Sequence, residues 1–171
     1  MAASFDLRDD INGFVEILKI SLFRKQFVRC SVHSRYKHDV GYRLSRAGLA
    51  VAYGQQIEFQ GPIVQNVVHS NDSRIINVTY TGASGLDIRS PNGFEVCCQD
   101  TLCWNDALWV PSIISNKTDL TITLNVDSSC TQKKLIGLRY LWRETPCPLR
   151  QATIYSATDS NLPSPPYFKY F

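Results

Sequence analysis

The 171-residue chain has no apolar run near the ~20 residues that cross a bilayer, so no membrane-spanning helix and no membrane partner is expected. Its first stretch, MAASFDLRDD, lacks a basic start followed by an apolar core, and no signal peptide is visible there. Net charge is scarce too: 18 Lys+Arg against 15 Asp+Glu leave +3, too little to argue for nucleic acid. The basic residues gather early, at Arg24, Lys25, Arg29, Arg35, Lys37, Arg43 and Arg46, which a solvated face and a helix end explain. Apolar residues make up 44% of the chain and charged ones 19%, enough to fill a core, so disorder is not expected.

Catalytic and metal-binding motifs are equally sparse. A serine esterase needs a nucleophile, a histidine, a carboxylate to orient it and an oxyanion hole. No G-x-S-x-G elbow occurs, and Gly82-Ala83-Ser84-Gly85 lies between predicted strands with no helix after it, which reads as a turn. No Asp or Glu occurs between Glu16 and His33, so that histidine lacks a carboxylate just before it. His38 and His69 have less to support them still. Cys97 and Cys98 are adjacent and Cys103 follows, but no second pair and no His cluster completes a tetrahedral site. No metal and no cofactor is expected.

What the chain does have is cysteine. Five of its six, Cys97, Cys98, Cys103, Cys130 and Cys147, fall in the last 75 residues, with Cys30 apart. That clustering reads as a disulfide framework of an oxidising compartment, with connectivity open and at least one of the five unpaired within the group. Three N-glycosylation sequons, at Asn71, Asn77 and Asn116, point the same way.

Helical periodicity appears twice. Ile11, Phe14, Val15, Leu18 and Leu22 share a face over residues 11 to 23, behind Asp9 and Asp10. Val40, Leu44, Ala47 and Val51 share one over a helix from about Lys37 to Ala52. After Tyr53-Gly54 the period becomes two. Ile57 and Phe59 alternate before Gly61-Pro62, Ile76 with Val78 and Tyr80, and Phe94 with Val96 and Cys98. LTITLNV points Leu120, Ile122, Leu124 and Val126 one way, and residues 133 to 142 form another strong strand. Turn signals at Thr81-Gly82, Pro91-Asn92-Gly93 and Ser115-Asn116 separate these runs. The last residues, LPSPPYFKYF, are expected to lie extended along the domain, anchored by Tyr167 and Phe168. The fold class is therefore mainly β with N-terminal helices (α+β), its body an antiparallel β-sandwich. Trp104, Trp109 and Trp142, with eight tyrosines, are either core and covering residues or a platform for sugar faces.

Several segments in order resemble the sialate O-acetylesterases, SGNH-like hydrolases that remove O-acetyl esters from sialic acids. Val32-His33-Ser34-Arg35-Tyr36-Lys37 is similar to that family's Ile-His-Pro-Arg-Asp-Lys. Val40-Gly41-Tyr42-Arg43-Leu44, Ala52-Tyr53-Gly54 and Phe59-Gln60-Gly61-Pro62 follow it. Further on come Phe94-Glu95-Val96-Cys97-Cys98, Trp109-Val110-Pro111-Ser112, Leu138 to Arg143 with Pro146-Cys147, and Leu162-Pro163-Ser164-Pro165-Pro166.

The resemblance implies that His33 is the catalytic histidine. The family's serine lies in a Gly-Gln-Ser-Asn motif upstream, and nothing in residues 1 to 32 resembles it. Ser34 and Tyr36 depart from the family's proline and acid, and a family cysteine expected near Ala152 is absent. Residues 1–30 are then an unrelated segment, 31–54 the terminal His loop and last helix of a missing α/β hydrolase domain, and 55–171 the β-sandwich. The expected function is that of a C-terminal fragment or truncated paralogue, inactive alone, of an esterase whose substrate is O-acetylated sialic acid. The alternative is a non-enzymatic β-sandwich module that binds glycans or protein. The family is lysosomal or secreted. Association through the surface that a missing hydrolase domain leaves is also expected.

Overall fold

The computed structural model describes residues 5–7, 36–69, 74–98, 102–130, 133–143 and 146–171. The helix expected over residues 11 to 23, Cys30, His33 and Asn71 lie outside them.

Helix α1 spans Lys37–Val51 and carries Asp39 in its first turn, where the helix dipole favours a negative charge. Among the described residues nine strands follow: β1 Ile63–His69, β2 Ile75–Thr81, β3 Leu86–Ile88, β4 Phe94–Cys98, β5 Trp109–Lys117, β6 Thr121–Asn125, β7 Leu135–Tyr140, β8 Ile154–Ser156 and β9 Tyr167–Tyr170. Seven of them form one antiparallel sheet in the order β1-β2-β6-β5-β4-β7-β9, and β3 pairs with β8.

Strand β5 joins the two halves of the large sheet. Its first residues, Trp109 to Ser112, pair with β4, and Ile113 to Lys117 pair with β6. At the change of partner the buried Ser112 hydroxyl donates to the Asn125 carbonyl at 2.9 Å, so no polar group is stranded. Both halves then face a common core. Ile76, Val78 and Tyr80 of β2 and Ile122 and Leu124 of β6 pack there with Phe94, Val96, Leu138 and Tyr140 from the other half. Ile154 and Tyr155 of β8 close it from a third side. The Phe94 and Tyr140 rings lie 4.7 Å apart between centroids, and the Ile154 amide donates to the Tyr140 hydroxyl at 3.0 Å, tying β8 to β7.

The β-rich, antiparallel fold expected from the alternation is present. LTITLNV behaves as read, with Ile122 and Leu124 fully buried. Residues 55 to 62, however, form no strand despite the alternation of Ile57 and Phe59. Instead the backbone at Gly61 lies directly against the Leu162 and Pro163 carbonyls, where a Cβ would overlap them. The C-terminal segment is more than an extended tail: β9 adds to the edge of β7 from Gly137 to Tyr140.

Two disulfides fasten the β4 end of the sheet, Cys97–Cys103 and Cys98–Cys130. Adjacent residues of a strand point to opposite faces, so the two bridges leave β4 on opposite sides. Cys97 and Cys103 pack with Trp109, while Cys98 and Cys130 belong to the main core. Among the described residues Cys147 is the free thiol. Burial pushes it up to about 11, with the Asp6 carboxylate adding to the rise.

Candidate functional site

Helix α1 begins four residues after His33. Helix α1 is docked through charge rather than through its apolar stripe. Its buried residues are Asp39 and Arg43, while Leu44 and Val51 on the expected apolar face are 57% and 73% exposed.

Arg43 enters a closed polar pocket. Its guanidinium donates twice to Asp6, Nη1 to Oδ1 at 2.6 Å and Nη2 to Oδ2 at 3.0 Å, and its Nε donates to the Asn161 carbonyl at 2.7 Å. The Tyr155 hydroxyl donates to the same carboxylate, to Oδ2 at 2.5 Å. Burial and this contact with an anion both hold the Tyr155 hydroxyl above its ordinary range. The Asp6 carbonyl accepts from the Arg150 amide at 2.7 Å, and the Arg150 side chain pairs with Asp39. Three parts of the chain distant in sequence thus meet around Asp6: the residue itself, α1, and the β8 region.

A second tier lies along the same helix face. The Tyr42 hydroxyl donates to Asp159 at 2.6 Å, a bond that raises its pKa. Arg46 donates to the Glu58 carbonyl at 2.7 Å. Glu58 in turn accepts from the Ser156 hydroxyl at 2.8 Å and from Thr158. Asp6, Asp159 and the Glu58 Oε2 all accept hydrogen bonds that hold the helix, while the Glu58 Oε1 is buried without a partner.

The described histidines do not form a catalytic set either. His38 is exposed on α1. His69 on β1 stacks on Phe171 with centroids 4.1 Å apart, and burial lowers its pKa. Neither hydrogen-bonds a serine or a carboxylate among the described residues. Ser84 sits exposed in a bend between β2 and β3, as its turn reading expected. No three metal-ligating side chains converge among the described residues.

A second charged group, which the sequence reading did not single out as a cluster, lies on the β4–β7 side. Arg139 of β7 is 3% exposed and bridges Glu95 at 2.8 Å and Asp106 at 2.6 Å, with its guanidinium 4.6 Å from the Trp109 ring centroid. That bond to Arg139 lowers the pKa of Asp106. Trp109, Phe168, Tyr170 and Trp142 form a run of ring contacts beside it, from buried Trp109 to half-exposed Trp142. The signal for Arg139 was its place in an apolar strand, where an arginine must find acids across the sheet.

A family model described as the sialate O-acetylesterase C-terminal domain matches residues 65–171. The sialate O-acetylesterase of Mus musculus is 33% identical over 139 residues, which cover 80% of this chain and 24% of that protein. The one from Homo sapiens is 30% identical over 142 residues, or 82% and 26%. This chain therefore spans about a quarter of the length of these relatives. A solved carbohydrate acetylesterase from Xanthomonas citri shares the fold, with a TM-score of 0.64 at 22% identity over 81% of this chain and 29% of that one. Through residues 65–171, which carry nearly all of the seven-stranded sheet, both disulfides and the β8 side of the Asp6 pocket, the chain belongs to the sialate O-acetylesterase C-terminal domain family.

Proposed function

We propose that this chain is the C-terminal part, residues 55–171 its β-domain and 31–54 the end of a hydrolase domain, of an esterase that hydrolyses O-acetyl esters on sialic acids. In that reading the β-domain anchors α1 and, through it, the segment that carries His33. The observation that carries this is the Asp6–Arg43–Tyr155 pocket, because it fastens the helix starting four residues after His33 to the β8 region. A catalytic loop gains precision when the element beside it is rigidly held. The exposed Leu44 and Val51 offer the other side of α1 to a hydrolase core.

His33 is the proton-shuttling base in this reading. It needs a serine hydroxyl to deprotonate and donors for the oxyanion, and the 171 residues contain no Gly-Gln-Ser-Asn block to supply them. The chain alone is accordingly inactive. The purified chain, assayed on an O-acetylated sialoside, is expected to release no acetate above background. Saturable hydrolysis that disappears in His33→Ala would overturn this.

A second reading is a non-enzymatic glycan-binding module, favoured by the partly exposed Trp142 beside Phe168 and Tyr170. Binding on a glycan array that is lost in Trp142→Ala would select it. An array without hits would remove it.

A further inference from the structure

Two of the three sequons lie side by side in the folded chain. Asn77 of β2 stands opposite Thr123 of β6, and Thr123 stands opposite Asn116 of β5. The two asparagines therefore flank one threonine in a single row across three strands. Their neighbours fix which way the row points. Ile76 and Val78 beside Asn77, and Ile122 and Leu124 beside Thr123, are fully buried, whereas both asparagines are exposed.

Strand geometry suits the sequon. Side chains two residues apart share a face, so Asn77 and the Thr79 hydroxyl of its sequon project from the same side. Asn116 reaches that side by another route. The register of β5 on β6 shifts between Ile114 and Asn116, so Ser115 stands opposite no residue of β6 and instead donates its hydroxyl to the Thr123 carbonyl at 3.1 Å. Without this bulge Asn116 would fall opposite Ile122 and turn toward the core.

Both amide oxygens are occupied from below. The Thr123 hydroxyl donates to Asn77 Oδ1 at 3.1 Å, and the Lys117 amide donates to Asn116 Oδ1 at 2.9 Å. No hydrogen bond engages either Nδ2 among the described residues, so a group attached there disturbs no contact. The adjacent row, Ile75–Asn125–Ile113, leaves Ile75 43% and Ile113 51% exposed on the same face. The two disulfides suit an oxidising compartment, the setting in which such attachment occurs.

We infer that Asn77 and Asn116 are both N-glycosylated, and that their glycans cover this outward face of β2, β6 and β5. The donor is an oligosaccharide carried on a lipid pyrophosphate. Asn Nδ2 forms a bond to the sugar C1 as the C1–O bond to the pyrophosphate breaks. The nitrogen gives its proton to a base of the transferase, and the lipid pyrophosphate leaves. The glycans stand on the outward face, away from the core that Ile76, Val78, Ile122 and Leu124 line from the other side of the same strands. They deny the β2–β6–β5 face to a protein partner and shield its two exposed isoleucines.

The test expresses the full chain behind a cleavable secretion leader in mammalian cells. Peptide-N-glycosidase release in heavy-oxygen water, followed by peptide mapping, is expected to convert both Asn77 and Asn116 to isotope-labelled aspartate. Asn77→Gln and Asn116→Gln should each remove one glycosidase-sensitive step in gel mobility. Hydroxyl-radical labelling of Ile75 and Ile113 should rise after deglycosylation. An unmodified Asn77 or Asn116 in the secreted, disulfide-bonded chain overturns the inference, and labelling unchanged by deglycosylation overturns the shielding.

Discussion

Asp6 and Arg43 hold each other through two parallel hydrogen bonds, with both side chains almost wholly out of water and Tyr155 closing the third side of the carboxylate. Neither charge has water to fall back on. Losing one partner therefore strands the other, whereas losing both removes the problem together with the attraction. Arg43→Met or Asp6→Ala alone is expected to cost about 3–5 kcal/mol in denaturant unfolding. The double variant should cost clearly less than the sum, as groups in direct contact do not add. Additive losses would show that the pair is not coupled.

Tyr155→Phe takes away the hydroxyl that donates to Asp6 and accepts from the Ala152 amide at 3.3 Å. It removes a donor to an anion without opening a large cavity, and a loss of about 1.5–3 kcal/mol is expected in the same measurement. Tyr42→Phe, whose bond to Asp159 lies at the helix surface, should cost less. Equal losses would argue against the greater weight given to the buried site.

The disulfides should differ in worth because they close loops of different length. Cys98–Cys130 spans 32 residues and Cys97–Cys103 spans 6. Chain-entropy scaling gives about 4 kcal/mol for the longer loop and about 2 kcal/mol for the shorter. Paired replacement of each bridge by alanine, read by thermal unfolding, should rank them in that order.

Cys147 offers a pH signature. Its thiol is raised from 9.0 to about 11, so between those values the unfolded chain has lost a proton that the native chain keeps. Stability then falls as pH climbs through that window, because the unfolded state binds fewer protons. Cys147→Ala should fall less steeply from pH 9 to 11 in equilibrium unfolding under non-reducing conditions. Alkylation of Cys147 at pH 8 should be slow in the native chain and fast in denaturant.

Gly61→Ala tests the seam between the segment before β1 and the Leu162–Pro163 turn. The new methyl group meets backbone carbonyls that cannot swing aside. A cost of about 1–3 kcal/mol is expected.

How much of this could be read beforehand varies with the kind of signal. Helix α1 was legible within a residue because Val40, Leu44, Ala47 and Val51 repeat with the helical period. What periodicity could not say is which face is fastened, and charged Asp39 and Arg43 bury while Leu44 and Val51 stay exposed. Strand β6 was legible because one of its faces is buried, so polarity alternates along it. Strands β3 and β8 were not, since three residues are too few to show a period and β8 is buried throughout. Asp6 carried no pattern at all. A lone acid near a chain end becomes meaningful only when Arg43 and Tyr155 are seen around it. The reading of His33 as a catalytic histidine rests on the resemblance of its surrounding residues alone, and it lies outside the described residues.

Strand β5 has one more consequence. A layered domain made of two separate sheets has a seam along which it can part, each layer keeping its own hydrogen bonds. Here a single backbone segment lies in both halves, paired with β4 before Ser112 and with β6 after it. Pulling the halves apart must therefore unzip β5 from one of them. That denies the domain a half-open state and favours opening as one cooperative unit.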